Sequence, residues 1–385
     1  MHPRPSKALP ATMRGTTHMH LARAHVPVVA MTAFIALLHL VGWATLIVLV
    51  VPLHASIGSK VFGVGTGLSA YMLGVRHAFD ADHIAAIDNT TRKLVGEGRR
   101  SLSVGFWFSF GHASIVFGLT LLIALGAHTL SAHVATPGSA FHTVAGMLGA
   151  AISGGFLYLI AAMNVVALFD IWKIFRTMKT GYFDEASLEH GLHRRGLVSR
   201  LLGPFMRLVR KPGQMYFVGL LFGLGFDTAT EIALLVLSGS GAAAGLPWYA
   251  TLCLPVLFAA GMLLFDTIDG SFMNFAYGWA LLKPVRKVYY NLVVTGLSVA
   301  VALVIGTVEI VGLLGNASIV HGALAVWASS IDLNSLGFAI VALFVATWAL
   351  SVAVWKFGRI ERRWATSRHS AIPAVVRTIS DRNNG

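Results

Sequence analysis

Residues 248–280 read WYATLCLPVLFAAGMLLFDTIDGSFMNFAYGWA, and this stretch decides the class of protein. Asp266 and Asp269 are its only charged side chains. An α-helix crosses the hydrocarbon layer of a bilayer with about 20 apolar residues, so the stretch is longer than one crossing requires. It predicts a membrane-spanning helix that carries two acids inside the membrane.

Seven further apolar stretches repeat this pattern along the chain. The eight together lie at about 27–53, 62–90, 102–127, 143–172, 215–238, 248–280, 286–314 and 332–357. The 385 residues are 56% hydrophobic and 12% charged, with a mean hydropathy of +0.73, which excludes an ordinary soluble enzyme. The sequence therefore predicts an all-α polytopic membrane protein with eight transmembrane helices.

Two of the apolar stretches contain residues that disturb a helix. Glycines and acids interrupt 62–90, and glycines, a proline and acids interrupt 248–280. We therefore expect tilted, kinked or broken helices there, and in particular a second span that is locally broken or kinked.

Basic residues alternate between the loops that join the predicted spans. Of the 29 Lys and Arg residues, 27 lie in the N-terminal tail, in the loops 91–101, 173–211 and 281–287, and from Lys356 onward, whereas the intervening loops hold only Lys60. By the positive-inside rule both termini are cytoplasmic, in a multi-pass protein of the plasma (inner) membrane. This topology accounts for the net charge of +13 without a nucleic-acid partner.

The same pattern predicts the domain organisation. A cytoplasmic tail (1–26) precedes a first four-helix half (27–173), a basic cytoplasmic connector (174–213), a second four-helix half (214–357) and a cytoplasmic C-terminal tail (358–385). The single cysteine, Cys253, excludes a disulfide framework.

Acidic residues enter the predicted spans, and Arg76 is the one basic residue at the same depth. A charged side chain at the centre of a bilayer costs about 2.5–3.5 kcal/mol, so these acids must face an interior, a water-filled cavity or a cation. The pattern predicts an electronegative path for cations. These acids include Asp80, Asp82, Asp88, Asp227, Glu231, Asp266, Asp269 and Glu309.

The second predicted span holds the strongest candidate for a metal site. It reads GVRHAFDADHI from Gly74 to Ile84. Imidazole and carboxylate together suit first-row divalent metals, whereas Ca²⁺ and Mg²⁺ prefer oxygen ligands alone. We predict metal contacts from His77, Asp82 and His83. On a regular helix these side chains point about 0°, 140° and 240° around the axis, so the backbone must depart from a regular α-helix for them to converge.

Other polar residues of the spans are predicted to form outer-shell contacts and the ion path. Simpler interpretations remain open for some of them: Asp80 could pair with Arg76 four residues before it, and His112 could be a buried histidine satisfied by Ser109. The predicted set is Asp80, Asp88, His112, Asp227, Thr228, Glu231, Asp266 and Asp269.

Four blocks of these spans resemble the nickel/cobalt transporter (NiCoT) permeases. They are RHAFDADHI at 76–84, FSFGHASIV at 108–116, LGFDTATE at 224–231 and GMLLFDTID at 261–269. The resemblance implies eight spans with cytoplasmic ends, and a central metal element that maps onto His77, Asp82 and His83. Ala113 departs from the family pattern, which usually has Ser after the Gly-His pair.

We therefore expect a permease that takes up Ni²⁺, Co²⁺ or both as its substrate, without a cofactor and without enzymatic activity. The expected partners are divalent metal ions and the lipid bilayer. The chain has no nucleotide-binding loop, and no ATPase subunit is evident. Two alternatives stay open: a divalent-metal exporter driven by proton antiport, and an intramembrane metalloenzyme with zinc on His77 and His83, although a His-Glu-x-x-His element is absent.

Overall fold

The computed structural model describes residues 12–57, 60–99, 101–125, 140–179, 209–225, 229–280, 284–316, 322–331 and 333–357. Most of the predicted connector, much of the N-terminal tail and the predicted C-terminal tail lie outside these residues. So do Asp227 and Thr228 of the predicted ion path.

The described residues form eleven α-helices. They are α1 (Thr12–Ala44), α2 (Val64–Ala78), α3 (Ala81–Gly96), α4 (Val104–Ala124), α5 (Ala140–Lys179), α6 (Met215–Phe222), α7 (Ala229–Ala243), α8 (Trp248–Ala280), α9 (Pro284–Asn316), α10 (Ala323–Ser330) and α11 (Leu333–Phe357). The chain divides into two compact units, Met1–Ile340 and Val341–Gly385. All contacts discussed below belong to the first unit.

Six of the described helical segments are long and apolar enough to cross a membrane. They are Val28–Leu53, Val104–Ala124, Gly146–Phe169, Trp248–Trp279, Leu292–Gly315 and Ser335–Val354. Each coincides with one of the eight predicted spans. The protein is therefore an all-α polytopic membrane protein. The helix α8 runs without interruption through Pro255, so the break expected as one outcome for 248–280 does not occur.

The other two predicted spans each contain two shorter helices. Residues 62–90 contain α2 and the first part of α3, which are separated by Phe79 and Asp80. Residues 215–238 contain α6 and the first part of α7; Gly223 and Leu224 form a turn after α6. Both pairs bring helix ends into the interior of the first unit.

The first span ends in irregular helix and a small hairpin. After α1 the chain forms a π-helical segment (Thr45–Val50) and a 3₁₀ turn (Val51–Leu53). The antiparallel strands β1 (Ser56–Ile57) and β2 (Lys60–Val61) follow, with Ser56 opposite Val61 and Ile57 opposite Lys60. This short hairpin leads directly into α2.

The helix α8 is the centre of the first unit. It packs against α1, α2, α3 and α4, while α9 packs mainly against α5. Leu254, Leu257, Phe258 and Leu263 of α8 are completely buried in the main apolar core. Their burial fixes α8 as the surface on which the neighbouring helices are positioned.

Glycine permits the closest approaches to α8. A Cβ atom added at Gly74 of α2 would collide with the backbone carbonyl of Phe258, and one added at Gly105 of α4 would collide with that of Asp266. Small residues allow such backbone contacts between membrane helices. The crossing at Gly105 places α4 directly against the part of α8 that carries Asp266.

Candidate metal centre

The interruption between α2 and α3 creates the centre of the site. His77 lies in the last turn of α2, and Asp82 and His83 lie in the first turn of α3. Between them, Asp80 is extended, with φ −64° and ψ 140°. The amide of Asp80 donates to the carbonyl of His77 at 2.9 Å, and its own carbonyl accepts from Ile84 at 3.2 Å. The change of direction at Asp80 lets side chains of two helices converge.

Three histidines meet at this interruption. One ring nitrogen from each of His77, His83 and His112 lies within 4.8 Å of the others. The ring centroids are 4.5 Å apart for His77 and His83, 4.7 Å for His77 and His112, and 4.9 Å for His83 and His112. All three side chains are buried, with at most 3% exposed. This arrangement can offer three nitrogen ligands to one ion.

Glu231 adds a carboxylate to the three imidazoles. It lies in the first turn of α7, and its Oε1 is 2.6 Å from Nε2 of His112 and 3.9 Å from Nε2 of His77. The two histidine Nε2 atoms are themselves 3.0 Å apart. The three atoms therefore form a compact group of possible ligands, contributed by α2, α4 and α7.

Asp80 and Thr230 hold the other nitrogen of His77. Its Nδ1 is 2.6 Å from Oδ2 of Asp80 and 3.0 Å from Oγ1 of Thr230. A histidine whose one ring nitrogen is paired with a carboxylate presents the other nitrogen as a ligand with a fixed ring orientation. These contacts direct Nε2 of His77 toward His112.

Asp266 has the same relationship to His83. Its Oδ2 is 3.2 Å from Nδ1 of His83 and also accepts a hydrogen bond from Ser109 of α4. Among the described residues, Nε2 of His83 is buried without a hydrogen-bond partner. A buried ring nitrogen without a partner costs free energy, and a bound cation would satisfy it.

The remaining predicted site residues occupy different positions. Asp82 is partly buried, and its Oδ1 accepts the amide of His83 at 2.9 Å, outside the histidine triad. Asp269 lies one turn after Asp266 on α8, with a buried Oδ2. Asp88 lies further along α3, where Tyr277 and Ser298 donate to its carboxylate.

The open alternative of an Arg76–Asp80 pair is not formed among the described residues. Arg76 is exposed, and Asp80 contacts His77 instead. The physical reason is the end of α2 at Ala78, because an i, i+4 pair needs a continuous helix between its members.

Sequence reasoning placed His112 and Glu231 outside the group of direct ligands. The available signal was the presence of a histidine and an acid in other spans, which leaves their distance from His77 undefined. Only the packing of α2 and α4 against the shared helices α7 and α8 brings these side chains together.

The comparisons with known proteins agree with this geometry. A family model described as "High-affinity nickel-transport protein" matches residues 63–354, which contain every member of the site. The chain belongs to the high-affinity nickel-transport protein family. This confirms the resemblance noted from the four sequence blocks, and the protein is accordingly a transporter rather than an enzyme.

Individual relatives in this transport family are similar over most of their length. The nickel transporter NicT of Mycobacterium tuberculosis is 58% identical over 87% of this chain and 90% of its own. The nickel transporter NixA of Staphylococcus aureus is 43% identical over 86% and 95%. The cobalt transport protein NhlF of Rhodococcus rhodochrous is 42% identical over 74% and 80%. No solved structure matches the chain.

Proposed function

We propose that this transporter takes up Ni²⁺ and Co²⁺ across the plasma membrane through the buried histidine site. The observation that supports this proposal most directly is the convergence of His77, His83 and His112 with Glu231 inside a polytopic membrane protein. Relatives named as nickel transporters and as a cobalt transport protein support these two cations as substrates.

The ligand chemistry favours first-row divalent cations. Imidazole nitrogen suits Ni²⁺, Co²⁺ and Zn²⁺, whereas Mg²⁺ and Ca²⁺ are held by oxygen ligands. Three nitrogens and one carboxylate therefore give a reason for rejecting the two abundant divalent cations. The choice between Ni²⁺ and Co²⁺ depends on coordination geometry rather than on ligand type.

We assign the direct contacts to Nε2 of His77, His83 and His112 and to the carboxylate of Glu231. Asp80 and Asp266 hold the opposite ring nitrogens of His77 and His83. The sequence predicts metal contacts from His77, Asp82 and His83. We keep Asp82 in the proposed site as a nearby carboxylate at the start of α3. Asp88, Asp227, Thr228 and Asp269 are proposed to belong to the ion path.

The proposed topology keeps eight crossings. In it α2 with α3, and α6 with α7, each form one interrupted crossing, and both termini are cytoplasmic. Non-helical backbone at membrane depth is tolerated where it lines a protein interior, which fits the position of Asp80 beside three buried histidines. The distribution of basic residues supports this orientation.

The membrane potential supports uptake as the direction of transport. Moving one charge through an interior-negative potential of 100 mV releases about 2.3 kcal/mol, hence about 4.6 kcal/mol for a divalent cation. Export would have to oppose this term and would need a coupled driving force.

Transport by proteoliposomes tests the proposal directly. Purified protein is reconstituted, an interior-negative potential is imposed, and accumulation of radiolabelled Ni²⁺ or Co²⁺ is measured. We expect accumulation that requires the potential and that His77→Ala abolishes, while His54→Asn, a change in an exposed histidine outside the cluster, has no effect. Normal accumulation by His77→Ala would refute the site. If vesicles whose interior represents the cytoplasm instead lost Ni²⁺ or Co²⁺, and did so only when a proton gradient was imposed, the exporter would be favoured.

A further inference from the structure

A second buried polar cluster occupies the other half of α3. From Asp88 to Arg92 the helix carries five successive polar residues, and all of them are buried. His83 lies five positions before Asp88 on the same helix, a separation of about 7.5 Å at 1.5 Å per residue. The cluster therefore lies between the histidine site and the end of α3 at Gly96.

Side chains of two helices, α8 and α9, form hydrogen bonds with Asp88 and Arg92. Tyr277 of α8 and Ser298 of α9 both donate to the carboxylate of Asp88, the latter at 2.9 Å. Nη1 of Arg92 donates to Oγ1 of Thr295, also on α9, at 2.8 Å. Thr295 and Ser298 are completely buried. Two hydroxyl groups one turn apart on α9 thus hold the two charged residues of α3.

A third helix holds the residue between them. Nδ2 of Asn164 on α5 donates to Oδ1 of Asn89, which also accepts from Nη2 of Arg92 at 3.4 Å. The far half of α3 is consequently bonded by side chains to α5, α8 and α9. The near half carries His83 at the metal site, so both sets of contacts act on one rigid helix.

The chemistry of the cluster suits a contact that opens. Separating apolar surfaces in water costs about 25 cal/mol per Å², whereas hydroxyl, amide and guanidinium groups regain hydrogen bonds to water when they separate. A purely static contact is made as well by apolar side chains of similar volume. A charged and hydroxyl-rich contact next to a transport site therefore points to movement.

We propose that Asp88 and Arg92 are positioning residues that lock α3 against α9 and hold His83 in its metal-binding position. In this proposal, release of the metal toward the Gly96 end of α3 requires the lock to break. The proposal rests on the function assigned above, because it concerns how the same site binds and releases its cation. It assigns a role to Thr295 and Ser298, which lie outside the metal site.

The accessibility of α3 tests the lock without any metal. Thr91 is completely buried, so Thr91→Cys in a Cys253→Ala background is a reporter for water reaching the far half of α3. Reaction with a polar maleimide is followed in nanodiscs. The paired change Thr295→Val with Ser298→Ala should raise the labelling rate at least fivefold, because α9 then no longer bonds α3. Thr295→Ser alone, which keeps the hydroxyl group, should leave the rate unchanged.

A matched control separates opening from general loosening. Thr120 of α4 is also completely buried, but its hydroxyl donates to Val116 within its own helix. Thr120→Val should not change labelling of the Thr91→Cys reporter. No increase in the paired variant, or an equal increase in Thr120→Val, would overturn the lock.

Uptake kinetics distinguish a positioning role from a structural one. The paired variant should require at least a threefold higher metal concentration for half-maximal uptake, with a maximal rate per molecule that is not reduced. A lower amount of protein with unchanged half-saturation would assign the cluster to folding alone. Since labelling is measured without metal, a transport site located elsewhere would leave the labelling result standing, and the two proposals can fail separately.

Discussion

The Nε2 atoms of His77 and His112 lie 3.0 Å apart, although the residues are 35 positions apart and the helix α3 lies between them in the chain. Ligand nitrogens at about 2.0–2.1 Å from one first-row ion are separated by roughly 3 Å when they occupy neighbouring positions. The two rings are therefore spaced as a pair of ligands to one ion.

Replacing His112 should abolish uptake at low metal concentration. His112→Ala removes the nitrogen that lies closest to Glu231 and leaves its carboxylate buried beside an empty space. Direct binding of Ni²⁺ to purified protein, measured by calorimetry, should be lost together with uptake. The control is His54→Asn, which changes an exposed histidine whose ring bonds to the carbonyl of Pro52. Undiminished binding by His112→Ala would remove α4 from the site.

Asp266→Asn should weaken binding rather than abolish it. The carboxylate orients His83 but is not itself assigned as a ligand, and loss of such partners typically reduces metal affinity about 10–100-fold. Ser109→Ala should have a smaller effect in the same direction, because Ser109 acts only through Asp266. The measurement is the Ni²⁺ concentration that gives half-maximal uptake.

Ser114→Ala supplies the comparison for these hydroxyl changes. It lies on the same helix as Ser109, but its hydroxyl donates to the carbonyl of Phe110 and accepts from Tyr216 of α6 at 3.3 Å, away from Asp266. Half-saturation should stay within about twofold of the unmodified protein. An equal loss in Ser109→Ala and Ser114→Ala would mean that α4 responds to any lost hydroxyl rather than to the contact with Asp266.

Gly105→Ala should disrupt transport even though Gly105 has no side chain that could contact the metal. The new methyl group would collide with the backbone carbonyl of Asp266, so α4 and α8 must separate and move Ser109 and His112. Gly118→Ala is the control on the same helix, since a methyl group there meets no atom within 4 Å. Both uptake and thermal stability should be lower in Gly105→Ala than in Gly118→Ala. Equal behaviour would show that the crossing tolerates expansion.

Competition between cations should follow ligand preference. Co²⁺ is expected to inhibit uptake of labelled Ni²⁺ at comparable concentrations, whereas Mg²⁺ and Ca²⁺ should fail to inhibit even in about 1,000-fold excess, because imidazole ligands select against them. The test is uptake of labelled Ni²⁺ across a series of competitor concentrations. Inhibition by modest Mg²⁺ would indicate an oxygen-only site and contradict the role of the histidines.

Hydropathy was sufficient to locate the long helices, because the bilayer imposes a minimum apolar length on each crossing. It could not locate the hydrogen bonds between helices. The sequence places Asp88, Tyr277 and Ser298 in three different spans, and only the rotation and depth of each helix bring them together. The cluster on the far half of α3 was accordingly not predicted.

The candidate metal site was likewise predicted only in part. Two imidazoles and several acids at membrane depth predicted a cation site near His77 and His83, and the structure brings these two rings to within 4.5 Å. The angles calculated for a continuous helix indicated that they could not converge unless the backbone changed direction. The sequence did not reveal that α4 supplies the third imidazole, because no local pattern encodes the distance between His77 and His112.

The interruption at Phe79 and Asp80 also gives the site an electrical polarity of its own. The start of α3 carries a partial positive charge of about +0.5 from its unpaired amide groups, which alone would repel a cation. Asp80 precedes this helix end and Asp82 lies in its first turn, so two carboxylates outweigh the amide dipoles beside the proposed cation site. The acids that begin α3 therefore convert an end of a helix that ordinarily attracts anions into one that a dication can approach.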